Sequence, residues 1–285
     1  VKSQAELNQA FLSFIRQPHG RWDIVEGACW LAAQEYPGID LKKIDLSIKA
    51  MIESLRGRLT PGMAKTEQLD QLNRFFFGEM GFKGNAENYG DPRNSYLPDV
   101  LERKLGIPIS LSLVYLKLAW ETGMPLFGIN FPGHFLVVWK ESEVDIEKNL
   151  YIDVFNGGKL LGPEELSRQL AAHKGREIEL EPVTHLRNAG VREILHRMLA
   201  NLKVIHASND RLERALWTAD WMILLKPQDW DSLRDKGMFC FALGRLDEAE
   251  KALVEYLEKT GKPPDFAQVW KALYAIRAQN PASLN

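Results

Sequence analysis

Residues 109–121 read ISLSLVYLKLAWE, and on a helix Ile109, Leu111, Leu113, Val114, Tyr115, Leu116, Leu118, Ala119 and Trp120 would occupy almost every side. A helix of that kind has no face to give to water, so other elements must cover it all round. Gly106 stops whatever precedes it, and Pro108 suits its first turn, where a missing N–H costs nothing. The segment is expected to be the central helix of a domain.

The next stretch of chain supplies part of the cover. Gly123 and Pro125 end the helix and release an expected strand at 126–131; Pro132-Gly133 turns the chain into a second at 134–140, opening on His134. A charged loop, 141–149, leads to a third at 150–155. Strands on a buried helix make a small α+β core. Upstream, apolar residues recur at helical spacing over 5–17, in a helix capped by Asp23 that carries Cys29 on its stripe, over 41–59 and over 66–80. A short helix at 96–105, capped by Asn94-Ser95, completes a helical layer. From 160 to 187 the pattern weakens, and Gly162-Pro163, Gly175 and Pro182 read as connectors.

Beyond residue 188 the chain is helical and repeats. Leu212 and Ala215 recur as Leu246 and Ala249, at about the 34-residue period of tetratricopeptide repeats. Small residues at hairpin contacts (Ala215, Gly237, Ala249) and a helix-ending Pro227 agree with two such repeats, closed by a helix over 265–278. Two domains are therefore expected, 1–187 and 188–285, and a chain of 285 residues can bury a core in each. Two repeats are fewer than usually hold an array together, so the pair must lean on the first domain or on a partner. Stacked helix pairs also leave a concave face suited to a protein or peptide.

Several classes of function find no support. A formal net charge of -2 with no Lys/Arg run argues against nucleic acid, and no apolar run approaches the ~20 residues that span a membrane. There is no HExxH, no P-loop and no GxGxxG opening a βαβ unit. His19, His173, His185, His196 and His206 are scattered, and the two cysteines, Cys29 and Cys240, lie far apart on apolar helix faces. No metal and no cofactor is expected, and a reducing, cytoplasmic setting fits. The N-terminal stretch lacks the basic start of a signal peptide.

The chemistry on offer is narrow. Asp153, between Ile152 and Val154 in a strand, needs a donor. His134, after the sharp turn on a neighbouring strand, is the obvious one. The helix start supplies only Ser110 as a nucleophile, with Ser112 a step further in. A thiol there would be helped by the helix dipole, but a serine hydroxyl would need His134 as its base and an oxyanion hole besides. Ser110 is expected to be a first-turn capping hydroxyl; the alternative is a Ser110–His134–Asp153 hydrolase or acyltransferase acting on a peptide or amide bond.

The segments NYGDPRNSYLPDVLERKLGIPISLSLVYLKLAWETGMPL, PGHFLVV, YIDVFNGG, REILHRMLANLK and LRDKGMFCFALGRLDEA, in this order, resemble the bacterial SirB-type proteins, in which a transglutaminase-like domain precedes tetratricopeptide repeats. The resemblance implies a transglutaminase/papain-like core, with His134 and Asp153 on the motifs that hold the superfamily's histidine and aspartate, and Ser110 or Ser112 near the place of its cysteine. It also implies a regulatory role, and a related module in some F-box proteins points to protein interaction. The expectation is a cytoplasmic adaptor, a pseudoenzyme whose cysteine-less pocket and helical repeats recognise a protein or peptide.

Overall fold

The structure is a computed structural model that describes residues 3–18, 21–142 and 145–279, so His19 and part of the 141–149 loop lie outside it. The chain separates into two compact units, Val1–Met198 and Leu199–Asn285.

The first unit opens with α1 (Gln4–Ile15), whose N-cap Ser3 and Glu6 exchange hydrogen bonds in a capping box. In α2 (Ile24–Ala33), the Asp23 carboxylate takes the N–H groups of Val25 and Glu26. Then come α3 (Leu41–Arg56) and α4 (Lys65–Asn73). α4 does not run on to residue 80 as a regular helix. It widens into a π-helical segment, Arg74–Glu79, which buries Phe75 and Phe76. Short β1 (Lys83–Gly84) pairs in parallel with β2 (Leu105–Gly106), on either side of α5 (Leu97–Arg103). Asn94-Ser95 does not cap α5; its N-cap is Tyr96, without a side-chain bond, because the Asn94 side chain is committed to the loop before it.

The apolar helix is α6 (Pro108–Glu121), with residues 108–116 all buried. Helices α2, α3 and α5 pack on it from one side, and β3 (Leu126–Ile129) and β4 (Leu136–Trp139) from the other. Gly128 allows this closeness, since a Cβ there would meet the Phe135 ring at 2.6 Å and Leu116 at 3.4 Å. The sheet continues through β5 (Leu150–Asp153) and β6 (Lys159–Leu161). Next come α7 (Pro163–Lys174), α8 (Pro182–His185) and β7 (Asn188–Ala189). The sheet order is β6-β5-β4-β3-β7, antiparallel throughout.

The stretch after residue 160 is thus more than connectors. Pro163 stands in the first turn of α7, Glu165 reaches back to the Gly162 N–H (3.3 Å), and Leu166 and Leu170 bury one helical turn apart. They cover the other face of the sheet, against Ile129, Leu136, Val138 and Tyr151.

The boundary between the units falls within α9 (Val191–Ser208). The second unit contains α10 (Leu212–Leu225), α11 (Trp230–Ala242), α12 (Leu246–Thr260) and α13 (Phe266–Gln279). Gly237 lets α11 and α12 approach, as a Cβ would stand 2.6 Å from Leu253 Cγ. One face of α13 buries Val269, Ala272, Leu273 and Ile276, while the other exposes Trp270 and Tyr274, with Phe266 stacked on Trp270 at 5.9 Å. Mostly helical, with one small antiparallel sheet, the molecule has the expected α+β class. Among the described residues no helix is long and apolar enough to cross a membrane.

Candidate functional site

His134 sits two residues before β4, in a turn, rather than opening the strand. The chain reverses at Phe131–Pro132–Gly133–His134, closed by His134 N–H donating to Phe131 O (3.0 Å). Gly133 takes φ +73°, the left-handed conformation that glycine supplies at the third position of a tight turn. The turn sends the imidazole across to the end of β5, where Nε2 lies 2.9 Å from Asp153 Oδ1.

Asp153 is almost fully buried and well supplied with donors. Asn156 gives it a backbone N–H (3.2 Å, to Oδ1) and a side-chain N–H (2.8 Å, to Oδ2), and Gly158 N–H closes the turn onto its carbonyl (2.9 Å). Burial pushes the carboxyl pKa up, but the hydrogen bond and charge of His134, with the bonds from Asn156, outweigh it and hold the group below its ordinary 3.8. Gly158 takes φ +77° and fits against Asn73 and Phe77; a Cβ there would stand 2.5 Å from Asn73 Oδ1. The π-helical widening thus begins where the chain must meet the Asp153 turn.

Ser110 has a different setting. Its hydroxyl donates to Asn94 O (2.5 Å), lies 3.2 Å from Ile107 O and accepts the Ile107 N–H (3.1 Å). It is buried, and it satisfies a donor at the start of α6 as a capping group does. Asn94 is itself held by Asn85, by Asn88 O and by Tyr89 O, so an ordered loop covers the helix start. Gly106 leaves room for this, since a Cβ there would come within 2.7 Å of Ser110 Oγ. Among the described residues no hydrogen bond joins Ser110 to His134. Ser112 is fully buried, and its hydroxyl has no hydrogen-bond partner among them.

His134 and Asp153 line a pocket of about 290 Å³ with Pro132, Gly133, Asn156, Gln169, Ala172 and His173. α7 brings Gln169 and His173 there, and His173 packs so closely on Gly133 that a Cβ would collide with its ring. Sequence reasoning missed both residues because it read α7 as connector. The signal was present in the Pro163 start and the Leu166/Leu170 pair. On the other flank the Phe155 ring stands edge-on to His134 (6.3 Å), and Tyr89 packs on Phe155 (6.0 Å).

Chemically, the Asp153 contact fixes the imidazole through Nε2 and leaves Nδ1 as the nitrogen that can exchange a proton or accept a ligand's N–H. Gln169, Asn156 and His173 add polar groups suited to an amide or a carboxyl. Cys29 and Cys240 are buried in other places, and burial raises both thiols, to about 12 and about 11. Among the described residues no group of three or more His, Cys, Asp or Glu side chains could hold a metal ion.

Comparison with known proteins agrees with this architecture. Residues 42–200 match the family described as transglutaminase-like superfamily, and residues 202–273 match tetratricopeptide repeat. A UPF0162 protein of Xylella fastidiosa (strain 9a5c) is 36% identical over 82% of this chain and 83% of its own length. One from Vibrio cholerae is 32% identical over 75% of this chain and 78% of its own. Human F-box only protein 21 is 32% identical over 71% of this chain, which corresponds to 35% of that longer protein.

Proposed function

The chain belongs to the transglutaminase-like superfamily, with tetratricopeptide repeats after the transglutaminase-like domain, and on that premise we propose that it is a cytoplasmic protein-interaction adaptor whose His134–Asp153 pocket is a retained scaffold rather than a working acyl-transfer centre. The observation that carries this reading is the state of Ser110. Its hydroxyl is bonded to Asn94 O at 2.5 Å and to the Ile107 backbone, beneath an ordered loop, so it is engaged in holding α6 in place. Ionising it would cost those bonds before any gain from His134. The exposed Trp270 and Tyr274, with half-buried Phe266 stacked on Trp270, support the binding half of the proposal, because aromatic surface of that kind marks interaction sites. Recurrence of the same region inside a longer F-box protein agrees with a recognition module.

The test compares full-length variants. Ser110→Ala is expected to capture the same protein partners as the wild type, whereas Trp270→Glu with Tyr274→Glu, both at exposed positions, is expected to lose them. A serine-directed acylating probe should leave Ser110 unlabelled. Labelling that disappears in Ser110→Ala and in His134→Ala would replace the adaptor with the second reading, a hydrolase or acyltransferase using Ser110, His134 and Asp153. That second reading draws its support from the Asp153-oriented imidazole, which a base would need.

A further inference from the structure

We infer that Arg197 and Tyr89 form a carboxylate-binding subsite on the flank of the His134 pocket, one that takes an acidic side chain of a protein partner. That the carboxylate belongs to a protein rests on the adaptor reading; that a carboxylate binds here does not.

Four stretches far apart in sequence meet at this flank. The Phe155 ring touches both the His134 ring (6.3 Å, edge-on) and the Tyr89 ring (6.0 Å). Phe155 is itself fixed by a close backbone approach, since a Cβ at Gly84 would meet its carbonyl oxygen at 2.6 Å and its ring at 2.7 Å. The Tyr89 backbone is tied down as well, its carbonyl accepting from Asn94 Nδ2 (3.3 Å) in the loop over the start of α6. Its side chain is 47% exposed, and among the described residues its hydroxyl has no hydrogen-bond partner. Arg197, on α9, lies within electrostatic reach of that phenol.

Arg197 is a half-buried cation that forms neither an ion pair nor a hydrogen bond among the described residues. Burial pushes its pKa down, and the Tyr89 phenol is what works against that. Acids nearby in the chain are placed elsewhere: Asp91 pairs with Arg93 and Arg103, Glu87 is exposed, and Glu193, one turn back on α9, puts Oε2 3.0 Å from where a Gly190 Cβ would stand. A guanidinium partly withdrawn from water without an anion bears a desolvation cost that a ligand anion offsets. Its fork can give a carboxylate two parallel N–H bonds, and the Tyr89 hydroxyl a third. One positive charge matches one carboxylate, whereas a phosphate group, carrying about two charges, would leave one unmatched.

The test titrates the full chain with the α-amide of N-acetylglutamate, with the same amide of N-acetylglutamine, and with inorganic phosphate, following the Arg197 Nε–H and Tyr89 ring resonances by NMR. The glutamate probe should move both and the glutamine probe neither. Tyr89→Phe keeps the ring on Phe155 and removes only the hydroxyl; it should weaken glutamate binding about tenfold, the size expected for a hydrogen bond to a charged group. Arg197→Gln should abolish that binding, and if this variant does not fold, Tyr89→Phe decides alone. Resonances that the glutamate probe leaves in place, an equal response to the glutamine probe, tighter binding of phosphate than of glutamate, or undiminished binding by Tyr89→Phe would each overturn it. Partner capture by the Trp270 and Tyr274 variants is a separate readout, so either proposal can fail while the other stands.

Discussion

At the start of α6, Ser110 gives its hydroxyl proton to Asn94 O and receives the Ile107 N–H, whereas at the turn before β4 the His134 ring has a partner on Nε2 and none, among the described residues, on Nδ1. The two regions therefore handle polar atoms in opposite ways. One uses them to close the fold. The other fixes a side chain by one end and leaves its other end available. On the proposed reading, the base and the carboxylate are retained while Ser110, in the nucleophile's place, serves as a structural joint, and the two regions stand on different elements.

Substitutions can break or sharpen that contrast. The largest effect is expected at Asp153→Ala, which leaves His134 and both Asn156 donors without their acceptor in a buried site; a loss of about 3 kcal/mol in urea unfolding is expected. A loss below about 1 kcal/mol would mean that the pair is not what holds the turn. Gly158→Ala comes next, at about 2 kcal/mol, since it forces a side chain into φ +77° and against Asn73. Ser110→Ala should cost about 1 kcal/mol, the worth of a cap, and leave partner binding intact. A larger change in binding than in stability would sink the assignment of Ser110 to the joint.

The acid limb of the stability curve gives a finer check. The folded pKa of Asp153 is depressed, so its contribution is fully present above the unfolded value near 3.8 and is lost as pH falls through the folded value. Asp153→Asn should flatten that part of the pH–stability profile and lower stability at neutral and alkaline pH by a constant amount, without adding a slope there. Smallest of all, Arg245→Ala in the second unit removes an ion pair with Glu213 whose side chains are 40% and 61% exposed; unfolding should shift by no more than about 0.5 kcal/mol.

Much of this was legible in the sequence where one physical signal dominated. The all-round apolar run announced α6, Asp23 announced the start of α2, and the aspartate within a strand announced a partner, which is His134. The departures came where local signals competed. Asn94 looks like a cap, yet its amide serves the loop from Asn85 to Tyr89. Periodicity over 66–80 reads as one regular helix, because a π-helical widening keeps the residues apolar while altering their phase. α7 was hidden by its glycine and proline flanks, and with it went Gln169 and His173.

The outermost strand of the sheet has a consequence in time. β7 pairs with β3 only through residues 188–189, made about 60 residues after their partners, which is several seconds of synthesis at typical rates. Until then Gly128 and Ile129 present an open edge to whatever lies nearby in the cell. The first unit of a nascent chain thus waits for the threshold of the repeats before its sheet is complete, and a chain ending at residue 187 would be released with that edge permanently bare.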